Sequence, residues 1–217
     1  MYQMRTVRAI ISPRMSTLPT TRPRGRPPAA SPEQVLDAAM YRYLRGRRID
    51  LQAIAAELGL GRATIYRWFG SREELIGEVL FHAAAPLLED ARARARGRGG
   101  AALLDTFDRF NRALADAPAL RRFVEAEREA ALRIITSGAG TLQPRIVAGI
   151  AAVIEDEVRA GRYKPTVEPA TLAYAIVKLA EAFLFNDAAA GMRGDVDRLR
   201  DVEAALLGVP LAAKRRS

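Results

Sequence analysis

The stretch from Ile49 to Phe69 constrains this chain more than any other, because it holds two short helical patterns separated by only three residues. Asp50 offers a cap for a helix from Leu51 to Leu58, and Gly59 stands where a tight turn demands positive φ. A second helix, Arg62 to Phe69, stops at Gly70. Helices joined so closely cross steeply. The crossing needs a small residue, here Ala55, and apolar anchors tying both helices to one core, here Ile54, Leu58, Leu60, Ile65 and Trp68 or Phe69. Arg62, Ala63, Thr64, Tyr66 and Arg67 are left facing outward on the second helix, a short polar and aromatic surface suited to a DNA major groove.

The flanking sequence extends the helical pattern in both directions. Ser31-Pro32-Glu33-Gln34 combines an N-cap, proline at the first helical position and glutamine at the capping-box position. Val35, Leu36, Ala39, Met40 and Tyr43 then recur with helical spacing, and this first helix ends near Arg45-Gly46. Ser71-Arg72-Glu73-Glu74 is a further capping box opening a long helix towards Arg96, with a kink expected at Pro86 and a break at Gly97, Gly99 and Gly100. Helical segments follow near 101–116, 118–136, 142–160, 167–190 and 195–207. Alternating strand patterns, βαβ units and internal repeats are missing. The expected fold is all-α: an N-terminal three-helix, helix-turn-helix DNA-binding domain joined by a long fourth helix to a C-terminal helical domain. The expected division is a disordered basic arm over 1–30, the helix-turn-helix domain over 31–77 and a ligand-binding and dimerisation domain over 78–217.

Charge places a polyanion beside that first domain. The 217 residues carry 34 basic and 25 acidic side chains, a net charge of +9, and six arginines with no acid fall in the first 30 residues while the rest is close to neutral. Lysine and arginine release counterions wherever they dock on phosphates, although a solvated tail has the same composition. Five prolines and the absence of any period make the arm disordered in isolation. Within it, Arg22-Pro23-Arg24-Gly25-Arg26-Pro27 resembles the core of an AT-hook, in which Arg24 and Arg26 would enter a narrow A·T-rich minor groove. Exposed Arg47 and Arg48, ahead of the second helix, are candidates for backbone phosphate.

The same composition excludes most chemistry. There is no cysteine and a single histidine, His82, so disulfide frameworks, zinc fingers, cysteine nucleophiles and histidine triads are out of reach. No nucleophile–base pair or phosphate loop is evident, so neither an enzyme nor a cofactor is expected. No run of about 18 apolar residues and no signal core appear, which is the pattern of a soluble, cytoplasmic protein.

The run Ala-Ile-Ala-Ala-Glu-Leu-Gly-Leu-Gly-Arg-Ala-Thr-Ile-Tyr-Arg-Trp-Phe-Gly-Ser-Arg-Glu-Glu-Leu-Ile, from Ala53 to Ile76, resembles the DNA-binding signature of TetR-type transcriptional regulators. Tyr66, Phe69, Ser71, Glu73, Glu74 and Leu75 match that signature directly. Arg72 stands for the usual lysine, and Asp50 for the serine or threonine that often caps the second helix. The resemblance implies a homodimeric repressor that binds a palindromic operator on double-stranded DNA and is released by a small-molecule effector. It puts Thr64, Tyr66 and Arg67 in the groove and Arg72 against a phosphate.

The resemblance further implies that the last two long helices pair with their two-fold mates. The apolar girth of 167–190 makes Leu172, Ile176, Leu179, Phe183, Leu199 and Leu206 the dimer candidates, with monomer core as the alternative. Phe81, Leu88, Leu104, Phe107, Phe110, Phe123 and Ile134 are candidates for an effector pocket, which would suit a hydrophobic or amphipathic molecule. Lys178 and Glu181 are spaced either to pair with each other or to face that pocket, and His82 reads as a packing residue. Two other functions share these features: a ligand-independent, A·T-preferring architectural DNA-binding protein, and a transcriptional activator.

Overall fold

The computed structural model describes residues 30–185 and 195–210, and the regular elements among them are ten α-helices. They are α1 (Pro32–Leu44), α2 (Leu51–Glu57), α3 (Arg62–Phe69), α4 (Arg72–Arg94), α5 (Gly100–Asp116), α6 (Pro118–Ala126), α7 (Arg128–Thr136), α8 (Leu142–Arg159), α9 (Pro169–Phe185) and α10 (Val196–Leu206). The fold is all-α, as the periodicity predicts.

Local chemistry sets the first three helices. Ser31 and Gln34 form the reciprocal capping box, with Ser31 N–H donating to Gln34 Oε1 at 2.9 Å and Gln34 N–H to Ser31 Oγ at 3.4 Å. Asp50 Oδ1 accepts from Gln52 N–H at 2.8 Å to start α2. Gly59 closes the turn at φ 64°, a conformation that costs a residue with a Cβ. At α4 only half of the expected capping box forms. Ser71 Oγ accepts from Glu74 N–H at 3.0 Å, but Ser71 N–H is already bonded to Phe69 O, so it has no need of the Glu74 carboxylate. The helix continues past Pro86 as far as Arg94.

Two expectations about the second half are corrected. The segment 118–136 is two helices, parted at Glu127, whose φ of −134° and ψ of 49° leave the helical region. Neither glycine nor proline marks that break, so periodicity gave no sign of it. The girth of α9 is consumed within the chain: α8, α10, α7 and α5 all pack around it, so Leu172, Ile176 and Phe183 are buried in the single protomer, as is Leu199 on α10. Leu179 is half-buried and Leu206 is exposed. The large apolar residues that face outward on these two helices are Tyr174 on α9 and Val202 and Leu206 on α10.

Three cores hold the molecule. The first joins Val35, Ile54, Ile65, Leu75, Ile76 and Val79 of the first four helices to Leu120, Phe123, Val124, Ala131 and Ile134 of α6 and α7. Helices α6 and α7 therefore share one packed interior with the helix-turn-helix. The second core gathers Leu103, Phe107, Ile150, Ile154, Leu172 and Ile176, and the third Phe183, Leu184, Val196 and Leu199. At the start of α5, Gly99 (φ 59°) lies so close to the backbone of Arg162 that a Cβ would stand 2.2 Å from that carbonyl oxygen. Its N–H donates to Glu157 Oε2 at 3.0 Å, pinning α5 to the end of α8.

Candidate nucleic-acid interface and internal cavity

Helix α3 presents the face that the sequence pattern requires. Ile65 is fully buried, Trp68 and Phe69 are half-buried against the first core, and Arg62, Ala63, Tyr66 and Arg67 are exposed with Thr64 partly so. Gly59, Leu60 and the residues of α3 include no acid, so α3 itself carries no charge that opposes a phosphate backbone. Arg42 ties α1 to α2 through Glu57 at 2.6 Å, which steadies the platform from which α3 projects. Arg47 and Arg48 are exposed in the α1–α2 connection. Arg24 and Arg26 lie outside the described residues.

Arg72 is placed differently from the expectation that it meets a phosphate. Its Nε donates to Ile49 O at 2.7 Å and its Nη2 to Glu127 Oε1 at 2.6 Å, with the side chain only 24% exposed. The guanidinium points into the protein because the break at Glu127 aims a carboxylate at it. Two further contacts join the same parts: Arg122 Nη2 donates to Leu44 O at 3.0 Å, and Arg133 pairs with Glu73.

A cavity of about 280 Å³ is lined by residues of α1 and of α4 to α9. Of the seven candidates, Phe107 and Phe110 line it, together with Tyr43, Leu44, Leu87, Ile135, Ile176 and Ala180. Five of the seven candidates go elsewhere. Phe81 and Leu88 face a separate recess of about 40 Å³, and Arg145 sits over the Phe81 ring at 3.6 Å. Leu104 is spent in the second core. Phe123 meets the Tyr43 ring edge-on at 6.3 Å, and Ile134 packs into the first core. One step along α7 is a rotation of about 100°, so Ile135 and not Ile134 reaches the cavity. His82 lies near Glu78 and Phe81, away from the cavity.

The polar groups of the cavity are ones that sequence reasoning largely missed. Gln143 Nε2 donates to Thr136 O at 3.0 Å and to Glu181 Oε1 at 2.8 Å, while Lys178 Nζ donates to Glu181 Oε2 at 2.9 Å and to Thr136 O at 3.1 Å. Lys178 and Glu181 therefore pair as their spacing suggests, and Glu181 also faces the cavity. Asn111 lines the wall from α5 and donates through Nδ2 to Glu203 Oε1 at 3.0 Å. Burial, with the charge of Asp108 adding to it, pushes the Glu203 carboxyl up to about 7, and Glu203 Oε2 has no hydrogen-bond partner. Burial likewise pushes the Tyr43 hydroxyl up to about 12, against the pull of Arg122. A signal for Asn111 and Glu203 existed. Asn111 follows Leu103 and Phe107 on the buried stripe of α5, and Glu203 follows Leu199 on that of α10, where a polar residue must find a partner.

Among the described residues, no group of three His, Asp or Glu side chains is placed to hold a metal ion, and no helix is long and apolar enough to cross a membrane. A helix-turn-helix with a cation-bearing outer face, mounted on a helical body around an apolar cavity, defines a class of DNA-binding regulatory proteins. The chain belongs to the TetR family: residues 47–79 match the model for bacterial regulatory proteins of the tetR family, and residues 98–208 match that for the tetracyclin repressor-like C-terminal domain. Among solved structures it is similar to the R. erythropolis transcriptional repressor QsdR from the TetR family, with a TM-score of 0.78 and 28% identity over 84% of this chain and 97% of that one. It also shares its fold with the TetR family repressor AlkX from Dietzia sp. strain DQ12-45-1b, with a TM-score of 0.56 and 23% identity over 82% of this chain and 96% of that one. Comparison with curated proteins gives no match.

Proposed function

We propose that this protein is a homodimeric, sequence-specific repressor that acts in the cytoplasm, binds a palindromic operator and leaves it when a hydrophobic or amphipathic small molecule enters the 280 Å³ cavity. Residues 31–77 read the DNA and residues 78–217 sense the effector and dimerise. Arg62, Ala63, Thr64, Tyr66 and Arg67 are the groove contacts, Arg47 and Arg48 reach phosphates, and Arg24 and Arg26 of the arm follow the minor groove. Repression, rather than activation, is supported by the similarity to QsdR, a transcriptional repressor. The dimer forms through the outer faces of α9 and α10, on Tyr174, Val202 and Leu206, which stay exposed in the single chain.

The observation that carries the effector reading is that the cavity wall includes Tyr43 and Leu44 of α1. The same helix packs Val35, Ala39 and Tyr43 into the core that holds Ile65 of α3. A molecule that fills the cavity therefore presses on the helix that seats the recognition helix, so its binding free energy can favour one arrangement of the DNA-binding helices over another. Footprinting of the full chain on genomic fragments tests the proposal. Protection of a discrete inverted repeat is expected, and protection that follows A·T content without a repeat would overturn it.

A further inference from the structure

We propose that the effector is an uncharged amphiphile whose polar end carries a hydrogen-bond donor, a hydroxyl or an amide N–H, delivered to Gln143 and Glu181; this rests on the reading of the cavity as the effector site. The first argument is charge. Among the described residues, the wall contains no lysine, arginine or histidine, and its one formal charge is the Glu181 carboxylate. Lys178 is not part of the wall, and its ammonium is engaged by Glu181 Oε2 and Thr136 O. A carboxylate or phosphate brought inside would lose its water and find no free cation in the wall, since Glu181 and Thr136 O already hold the Lys178 ammonium, a cost that the apolar walls do not offset. A free ammonium would lose its water too, and Glu181 already has its cation.

The second argument is the donor count at the polar end. A glutamine amide has two N–H donors, and Gln143 spends both, on Thr136 O and Glu181 Oε1. Gln143 is 4% exposed and Glu181 8%, so this is a built, interior arrangement rather than a surface pair. What remains unspent there is acceptor capacity: Gln143 Oε1 and the second lone pairs of the Glu181 oxygens. A ligand that only accepts, such as an ether, finds nothing to bond at this end. Asn111 on α5 uses one N–H on Glu203 and keeps its other N–H and its oxygen, so a group that both donates and accepts can be satisfied across the cavity. The rest of the wall is aliphatic and aromatic, which accounts for the apolar chain.

Calorimetric titration of the full chain with decanol, decyl methyl ether and sodium decanoate near neutral pH tests this, each below its micelle-forming concentration. Decanol should bind, the ether about ten-fold more weakly for want of one hydrogen bond, and decanoate not measurably. Ala180→Phe on α9 and Ala84→Leu on α4 narrow the cavity from different walls, and whichever folds should lose decanol binding. If decanoate or the ether binds as well as decanol and the narrowed variants lose both, the cavity is the site and the proposed chemistry is overturned. If binding survives in the narrowed variants, or decanol does not bind at all, the reading of the cavity falls and the proposal falls with it.

Discussion

Arg72, in the first turn of α4, reaches Glu127, at the break between α6 and α7, with 2.6 Å between Nη2 and Oε1. The same guanidinium bonds Ile49 O, at the entry to α2. One side chain thus connects the helix-turn-helix to the two helices whose other faces line the cavity, through Leu120 on α6 and Ile135 on α7. The pair is thus a direct polar link between the helix-turn-helix and the helices that line the cavity. In a double-mutant cycle, Arg72→Ala and Glu127→Ala should each lower stability by about 1–3 kcal/mol, and their effects should fall short of additive by about 1 kcal/mol. Thermal melts of the three variants measure it. Additive losses would mean that the pair carries no coupling.

Arg67 and Ile65 occupy opposite sides of α3, which makes them a test of its register. Arg67→Ala should weaken operator binding by on the order of 1–3 kcal/mol, roughly ten- to hundred-fold, with the melting temperature unchanged. Ile65→Ala should destabilise the fold by about 2–5 kcal/mol through the cavity that it leaves in the first core. Gel shifts and melts on both variants decide the matter, and the reverse pattern would rotate the helix.

Glu203 gives the fold a pH dependence of known sign. Its carboxyl is raised from its usual value to about 7 by burial, so the folded chain holds this proton more tightly than the unfolded one. The stability that this provides is complete below about pH 4.5 and is lost as the pH climbs to about 7, a swing of about 3 kcal/mol. Glu203→Gln should remove that slope, so the variant gains on the parent as the pH rises. Melts of both proteins from acid to mildly alkaline pH read the difference; a constant gap would show that Glu203 does not titrate there.

Tyr174 and Leu172 sit two residues apart on α9 with opposite fates, one exposed and the other buried. Tyr174→Glu combined with Val202→Glu should yield a folded monomer in light scattering and weak operator binding. Leu172→Asp should instead prevent folding, because it puts an unpaired charge into the second core. A double variant that stays dimeric would move the interface away from these faces.

Gly99 tolerates no side chain. Gly99→Ala combines a positive φ with a contact of 2.2 Å to a carbonyl, so it should cost more than the usual 1 kcal/mol or so of a glycine replaced in a left-handed turn. Chemical denaturation compares it with Gly161→Ala, which has a similar φ and open space around it.

The sequence by itself determined the all-α class, the helices up to α4 and the outward face of α3. Those features depend on interactions that close within one turn, such as Ser31 with Gln34, Asp50 with Gln52, and glycine at Gly59, so the information lies next to where it acts. What only the tertiary structure decided depends on partners distant in the chain: Arg72 with Glu127 across 55 residues, Gln143 with Glu181 across 38 and Asn111 with Glu203 across 92. No period in the sequence tells which of Ile134 and Ile135 reaches the cavity, or that Leu172 and Ile176 are covered by their own chain. An apolar residue lowers its free energy equally in a core, at a dimer interface or around a ligand, and which of these it meets is set by the packing of helices that are far apart in sequence.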